Sequence, residues 1–173
     1  MEVYLIRHTT PAVTKGMIYG HTDVPLQDSF SDEKKIVLSR LPLPVDAVYS
    51  SPSVRCTSLA TYIAPEVIID QRLREINFGS WEGKTWDSIS PEELDPWMAD
   101  FVNCCPPGGE SMVQMNRRVI GFWNELRSKS YHTAALVTHA GVIRLVMTAA
   151  GGKPLQSAFD IKVDYGEVFL VSC

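Results

Sequence analysis

The first strand of this 173-residue chain most limits how the chain can fold. Residues Val3 to Ile6 form an unbroken run of apolar side chains that stops at Arg7 and His8. A continuous apolar run of this length predicts a strand that is buried on both faces, and its sheet then needs helices on both sides. In open α/β sheets the ligand lies beyond the carboxyl ends of the strands, so Arg7 and His8 are expected to face a site.

The rest of the chain alternates short strands with helices. Helices are predicted from Ser31 toward Arg40, from Pro52 in the first turn of the second helix, over residues 111–127 and over residues 141–150. Further strands are predicted over residues 46–50, 67–69, 134–137 and 167–171. In the first two of these helices, the residues expected to face the core are Ile36, Val37, Leu41, Leu59, Tyr62 and Ile63. In the helix over residues 111–127 the apolar positions, spaced by three or four, are Met112, Met115, Val119, Phe122 and Leu126. This alternation predicts an α/β fold, a three-layer sandwich with a mainly parallel central sheet flanked by helices. We expect one domain over residues 1–173, since no repeat or linker is visible.

Composition excludes several classes of function. The net charge of -4 and the 21% of charged residues argue against a general nucleic-acid binder, whose binding domain is normally basic. No apolar run approaches the roughly 18 residues that cross a bilayer, and the start of the chain lacks the pattern of a secretory signal. The four cysteines and four histidines show neither C-x-x-C nor H-E-x-x-H spacing. We therefore expect a reduced, cytoplasmic protein with no metal site, no nucleic-acid partner and no membrane partner.

Three strands are expected to end at one edge of the sheet with chemically active side chains. Arg7 and His8 follow the first strand, Arg55 follows the second within a few residues, and His139 follows the strand at 134–137. Arginine can bind two phosphate oxygens at once and remains charged, and a histidine can accept a phosphoryl group covalently. Because phosphoryl transfer depends mainly on fixed donors around the transferred group, the convergence predicts a phosphoryl-transfer site with His8 as the nucleophile.

The leaving alcohol in such a reaction needs a proton, and Glu75 is the candidate donor. It lies in an irregular stretch, residues 73–83, that is rich in large apolar groups such as Phe78 and Trp81. Burial among these groups favours the neutral carboxyl, whereas nearby arginines favour the carboxylate, and the sequence leaves the balance open. Each residue taken alone also fits an ordinary surface, ion-pair or core role. Their joint order along the chain favours a site.

These residues resemble the motifs of the histidine phosphatase superfamily, which includes the cofactor-dependent phosphoglycerate mutases and many small phosphatases. The resembling segments are Leu5–His8, Ser50–Arg55, Leu73–Glu75 with Phe78–Gly83, Gly108–Ser111 and Val137–Val142, in the family's order. The resemblance implies His8 as the phosphorylated nucleophile, Glu75 as the proton donor, no metal and no other cofactor. It implies a phosphate pocket formed by Arg7, Arg55 and His139, with further lining from Tyr19, Gly20, Ala140 and Gly141.

Two segments depart from the family pattern. Thr9 follows the nucleophile where the family usually has glycine, and no asparagine occurs between His8 and Leu26. The loop after Leu26 also lacks the usual Thr-x-x-Gly-x-x-Gln-Ala run. These differences concern loop contacts to the substrate rather than the expected core chemistry.

The resemblance also implies a small phosphorylated metabolite as the partner. The mutases of the superfamily are typically longer, which favours hydrolysis for this chain. Residues 19–26 are most similar to those of the α-ribazole phosphatases, which remove the 5′-phosphate of α-ribazole phosphate in assembly of the cobalamin nucleotide loop. The alternatives are a broad-specificity sugar-phosphate phosphatase, a phosphoglycerate mutase and a non-catalytic phospho-ligand binding module. The sequence leaves open the oligomeric state and whether residues 84–110 act as a lid.

Overall fold

A five-stranded sheet forms the centre of the computed structural model, which describes residues 1–172 and leaves Cys173, one of the four cysteines, outside. Its strands are β1 (Glu2–Arg7), β2 (Ala47–Ser50), β3 (Ile68–Ile69), β4 (Thr133–Thr138) and β5 (Val168–Ser172). Their order in the sheet is β3-β2-β4-β1-β5, with the first four parallel and β5 antiparallel to β1. The predicted mainly parallel α/β architecture is confirmed.

Helices cover both faces of the sheet. The α-helices in the described residues are α1 (Phe30–Leu38), α2 (Val54–Ala60), α3 (Pro91–Ala99), α4 (Met112–Arg127) and α5 (Ala140–Ala150). Val3 and Leu5 of β1 pack with α4 and α5, whereas Ile6 packs with α1 and α2. Successive strand residues therefore enter two different cores, which explains the unbroken apolar run at the start of the chain. No helix in residues 1–172 is both long and apolar enough to traverse a bilayer.

Helix α4 follows the sequence prediction closely. The Ser111 hydroxyl accepts a hydrogen bond from the Gln114 N–H (3.3 Å), and the Gln114 amide oxygen accepts one from the Ser111 N–H (2.8 Å). This reciprocal cap satisfies two donors at the helix start. The side chains that α4 buries include every predicted apolar position, namely Met112, Met115, Val119, Phe122 and Leu126.

The predictions were wrong in detail for α1 and α2. Helix α1 starts at Phe30 rather than after Ser31, and its residue Ile36 is 52% exposed while Val37 is buried. The helical period predicts that one face of α1 is apolar. The packing of α1 against the sheet determines which residue lies at the centre of that face. Pro52 precedes α2 instead of lying in its first turn. Tyr62, which lies beyond the end of α2, is exposed, whereas the adjacent Ile63 is buried as predicted.

Candidate active site

Adjacent strands deliver two histidines to the same edge of the sheet. The register of β1 and β4 aligns Arg7 with Thr138, so the next residues, His8 and His139, leave the sheet side by side. Their ring centroids lie 5.2 Å apart. Arg55 joins them from the first turn of α2, with its Nη2 atom 3.3 Å from His139 Nδ1. The predicted convergence at the carboxyl ends of the strands is therefore present.

His8 is held in the tautomer that a nucleophile requires. Its Nδ1 atom lies 2.7 Å from the carbonyl oxygen of Thr9. A carbonyl only accepts, so Nδ1 carries the ring proton and Nε2 keeps its lone pair. Burial and then Arg55 lower the pKa of His8 to about 3, with a smaller lowering by Arg7, although the hydrogen bond to Thr9 opposes the shift. The ring is consequently neutral near pH 7 and available for attack.

His139 is also neutral and is bound on both ring nitrogens. Arg55 donates to Nδ1, so Nε2 carries the proton and donates to the Ser51 hydroxyl at 2.8 Å. Burial, followed by the proximity of His8 and Arg55, holds the pKa of His139 well below its usual range. Arg55 itself is fully buried, and its Nη2 donates to the Gly20 carbonyl at 2.7 Å. The loop between β1 and α1 thus holds Arg55 in place, and Arg55 in turn holds the ring of His139.

Two arginines leave buried donors without protein acceptors. The Nε atoms of Arg7 and Arg55 have no hydrogen-bond partner within residues 1–172. Arg7 is held by a hydrogen bond from Nη1 to the Val163 carbonyl (2.7 Å) and by the ring of Tyr165, 3.7 Å from its guanidinium carbon. A buried donor without an acceptor costs about 1–3 kcal/mol. The two guanidinium groups line the same pocket as the amino-terminal end of α5, and both features favour an anion there.

The carboxylate of Glu75 lies at the pocket, where it packs against the backbone of Gly141. Its Oε1 atom accepts a hydrogen bond from the Ile76 N–H (2.9 Å), and its Oε2 atom accepts one from the Gly141 N–H (3.1 Å). A Cβ atom on Gly141 would lie 2.1 Å from Glu75 Oε1, so the carboxylate can approach only because residue 141 is glycine. Trp81, an expected neighbour of Glu75, belongs instead to a separate buried cluster with Ile18 and Ile89.

Glu82 ties the loop after β1 to the stretch that follows Glu75. Its carboxylate accepts hydrogen bonds from the backbone N–H groups of His21 (2.8 Å), Thr22 (2.6 Å) and Phe78 (3.2 Å). Gly20 packs so closely on this stretch that a Cβ atom would lie 1.8 Å from the Ile76 carbonyl oxygen. The loop after β1 therefore packs against the Glu75 segment, and its carbonyl oxygens at Gly20 and Thr22 accept hydrogen bonds from Arg55.

The predicted residues surround one cavity of about 360 Å³. Its lining contains eight of the nine predicted positions, namely Arg7, His8, Tyr19, Arg55, Glu75, His139, Ala140 and Gly141. Gly20 lies behind them and contributes through Arg55. The lining residues that sequence reasoning did not place at the site are Ile76, Trp86, Met112, Met115, Arg144, Leu145 and Phe159. Arg144 had a usable signal, since it lies four residues after Ala140 and hence on the same face of α5.

Arg144 is the most polar of these additional lining residues. Its Nε donates to the Ile161 carbonyl at 2.9 Å, and its guanidinium carbon lies 5.3 Å from the centroid of the Phe159 ring. Burial is the main cause that lowers its pKa, and the charge of Glu75 opposes the shift. Within residues 1–172 neither Nη atom donates to a protein acceptor, so Arg144 has donors to offer to a ligand.

An aromatic row borders the cavity. Each ring in the row contacts the next one, and the centroids of consecutive rings lie 4.9 to 6.4 Å apart. In spatial order the rings are Phe78, Trp86, Trp97, Phe101 and Phe159. Residues 84–110 supply the three central rings, and Trp86 itself lines the cavity. This segment therefore contributes Trp86 to the wall of the cavity, while its action as a lid stays a prediction. No group of three or more histidine, cysteine or acidic side chains in residues 1–172 is arranged to hold a metal ion.

Comparisons with known proteins agree with this fold. A family model described as "Histidine phosphatase superfamily (branch 1)" matches residues 3–173. "Putative phosphoserine phosphatase 2" of Hydrogenobacter thermophilus is 29% identical, over 94% of this chain and 85% of that protein. The "Adenosylcobalamin/alpha-ribazole phosphatase" of Escherichia coli is 27% identical, over 96% and 87%. The crystal structure of the α-ribazole phosphatase from Shigella flexneri superposes with a TM-score of 0.92 at 25% identity, covering 99% of this chain and 90% of that one. The chain belongs to the histidine phosphatase superfamily.

Proposed function

We propose that the chain is a metal-independent phosphomonoesterase that works through a phosphohistidine at His8. One observation carries this proposal. His8 is a neutral imidazole with its lone pair on Nε2, and Arg7 and Arg55 beside it leave buried donors without protein acceptors. The arginines supply the positive charge that a phosphate ester needs, so binding does not require a metal ion.

The reaction proceeds in two displacements. In the first, Nε2 of His8 attacks phosphorus, the bond from phosphorus to the alcohol oxygen breaks, and Glu75 gives that oxygen a proton. In the second, water attacks the phosphohistidine, Glu75 takes a proton from the water, and Nε2 of His8 leaves with its electron pair. Arg7 and Arg55 hold the phosphoryl oxygens through both steps, and His139 holds the Arg55 guanidinium in place through its Nδ1 atom. The products are the alcohol and inorganic phosphate.

The substrate that we propose is α-ribazole 5′-phosphate, which would place the enzyme in assembly of the cobalamin nucleotide loop. Beyond the phosphate end, the cavity is lined by Phe78, Trp86 and Phe159 together with methionines of α4. Aromatic and thioether groups suit a flat heteroaromatic alcohol. The similarity to solved α-ribazole phosphatases supports the same substrate. A broad-specificity sugar-phosphate phosphatase is the alternative with the same chemistry.

A second candidate is hydrolysis of an ester whose alcohol carries a carboxylate, such as phosphoserine or phosphoglycerate. The observation that favours it is Arg144, which lines the cavity with both Nη groups unpaired in the described residues. An arginine fork binds a carboxylate through two parallel hydrogen bonds. Two relatives from Hydrogenobacter thermophilus bear phosphoserine phosphatase names, at 29% and 28% identity.

Phosphate release in the presence of a chelator tests these proposals. The purified protein is given α-ribazole 5′-phosphate, phosphoserine, 3-phosphoglycerate and several sugar phosphates. We expect α-ribazole 5′-phosphate to exceed the others by at least about tenfold in kcat/KM. Equal, slow rates on all esters would overturn the ribazole assignment, and isomerisation of phosphoglycerate would instead indicate a mutase.

The covalent step has its own test. Protein quenched in acid during turnover of a ³²P-labelled ester should carry the label on His8, and His8→Ala should carry none. Label on another residue would contradict the phosphohistidine mechanism. Tight phosphate binding without release from any ester would support the non-catalytic binding module.

A further inference from the structure

Glu75 differs from the other groups of the site because it does not follow a strand. It comes two residues after a short 3-10 turn, Gln71–Leu73, in a stretch without regular hydrogen bonding. The residues next to it along the chain therefore need other partners to keep them in place. We propose that Arg118 and Glu110 form a clamp that positions Glu75 for proton transfer. This inference rests on the proposed role of Glu75 as the proton donor.

Arg118 binds three carbonyl groups of the Glu75 segment from one guanidinium. Its Nη1 donates to the carbonyl oxygens of Arg72 and Arg74, both at 2.7 Å, and its Nη2 donates to the carbonyl oxygen of Glu75 at 3.0 Å. An arginine in this helix is expected on the outer surface of α4, but only 21% of the Arg118 side chain is exposed. The planar fork explains why an arginine occupies this position, since a lysine ammonium cannot span all three carbonyl groups.

Glu110 completes the clamp from the other side of Glu75. It pairs with Arg118 through Nε at 3.1 Å and through Nη2. Its Oε1 also accepts the N–H of Asn77 at 3.0 Å, and its own N–H donates to the Asn77 carbonyl at 2.9 Å. The chain is thus bound immediately before Glu75, at Glu75 and two residues after it. A partly buried, charge-balanced pair with this geometry restricts movement more than an exposed ion pair does.

The clamp explains the Gly108–Ser111 motif, whose residues lie outside the cavity lining. A Cβ atom on Gly109 would lie 2.4 Å from the Asn77 carbonyl oxygen, so glycine lets Glu110 approach that residue. Ser111 then caps α4, and Arg118 lies seven residues later on the same face of the helix. The motif and the helix act as a rigid support for the segment that carries the proton donor.

Positioning matters because proton transfer is sensitive to distance. A general acid must lie about 2.6–3.2 Å from the oxygen that it protonates, and a misplacement of about 1 Å can cost about 100-fold in rate. Loss of the clamp should therefore slow the step that Glu75 assists. A step that needs little proton donation should be affected less.

Leaving-group dependence separates positioning from general damage. A nitrophenolate leaves without a proton, whereas an alkoxide needs one. We compare kcat/KM for p-nitrophenyl phosphate and β-glycerol phosphate in Arg118→Met, Arg118→Lys and Glu75→Gln. Arg117, the exposed neighbour on α4, provides the matched control Arg117→Met. The ratio kcat/KM reports the first displacement, in which the two leaving groups differ.

Arg118→Met should lose about 10- to 100-fold on the alkyl ester and only about threefold on the aryl ester. Glu75→Gln should show the same selectivity, Arg118→Lys should recover part of the alkyl activity, and Arg117→Met should match the wild type. Equal losses of Arg118→Met on both esters would overturn the clamp. If Arg118→Met is recovered unfolded, Arg118→Lys must itself show the selective loss. A Glu75→Gln variant without selectivity would refute Glu75 as the proton donor, while absence of turnover in the wild type would refute the phosphatase.

Discussion

Replacing Gly141 by alanine tests the contact that brings Glu75 into the site. The added Cβ atom would lie 2.1 Å from Glu75 Oε1 and 3.0 Å from the terminal methyl of Met115. The methionine can move because its side chain is flexible. The carboxylate must retreat by about 1 Å to restore an ordinary contact, and a displacement of that size costs about 100-fold in rate.

A glycine-to-alanine substitution in another helix provides the control for Gly141→Ala. Gly121 lies inside α4, and a Cβ atom there would meet no atom within 4 Å. Gly121→Ala should raise the free energy of unfolding by about 0.5–1 kcal/mol, because alanine is the better helix former. Gly141→Ala should instead lower it by about 1–2 kcal/mol, because overpacking outweighs helix propensity.

Two assays measure the outcome. Urea unfolding gives the free energy of each variant, and kcat/KM on β-glycerol phosphate and p-nitrophenyl phosphate gives the catalytic effect. We expect Gly141→Ala to lose about 100-fold on the alkyl ester and much less on the aryl ester, with Gly121→Ala unchanged on both. Wild-type activity of Gly141→Ala on the alkyl ester would refute the view that the Gly141 contact sets the place of the proton donor.

Three further predictions concern other parts of the site. The pKa of His8 is about 3 in the folded protein and near 6.5 in the unfolded chain. Between these two pH values the unfolded chain binds more protons than the folded protein. The free energy of unfolding therefore falls as the pH drops through this window, by at most about 1.4 kcal/mol per pH unit. Urea unfolding at pH 5 and pH 7 should show a smaller loss for His8→Gln than for the wild type, and an equal loss would contradict the buried neutral ring. Arg55→Met should reduce kcat/KM by at least about 100-fold on every ester, since the guanidinium that we propose to bind the phosphate is lost and the Gly20 carbonyl loses its donor. Activity within a few fold of wild type would be incompatible with this proposed role. If the second substrate candidate is correct, Arg144→Met should lower kcat/KM about 10- to 100-fold for phosphoserine but not for phosphoethanolamine, which lacks the carboxylate. Equal effects on these two esters would exclude carboxylate recognition by Arg144.

The sequence by itself determined the central sheet and the groups at its strand ends. Apolar runs mark the strands, and parallel strands place their carboxyl ends at one edge, so the order of residues alone brings Arg7, His8 and His139 together. The capped, periodic helix after Ser111 was equally legible, since its signals lie within a few residues of one another. Local patterns therefore sufficed wherever the structure depends on neighbours in sequence.

Only the tertiary structure decided how Glu75 is held and which further side chains line the cavity. Arg118 reaches carbonyl groups that precede it by more than 40 residues, and Gly141 meets a carboxylate 66 residues away. Phe159 enters the cavity from the turn that follows α5, Leu155–Asp160. Such contacts leave no periodic trace in the sequence, because they depend on how separate elements pack against each other.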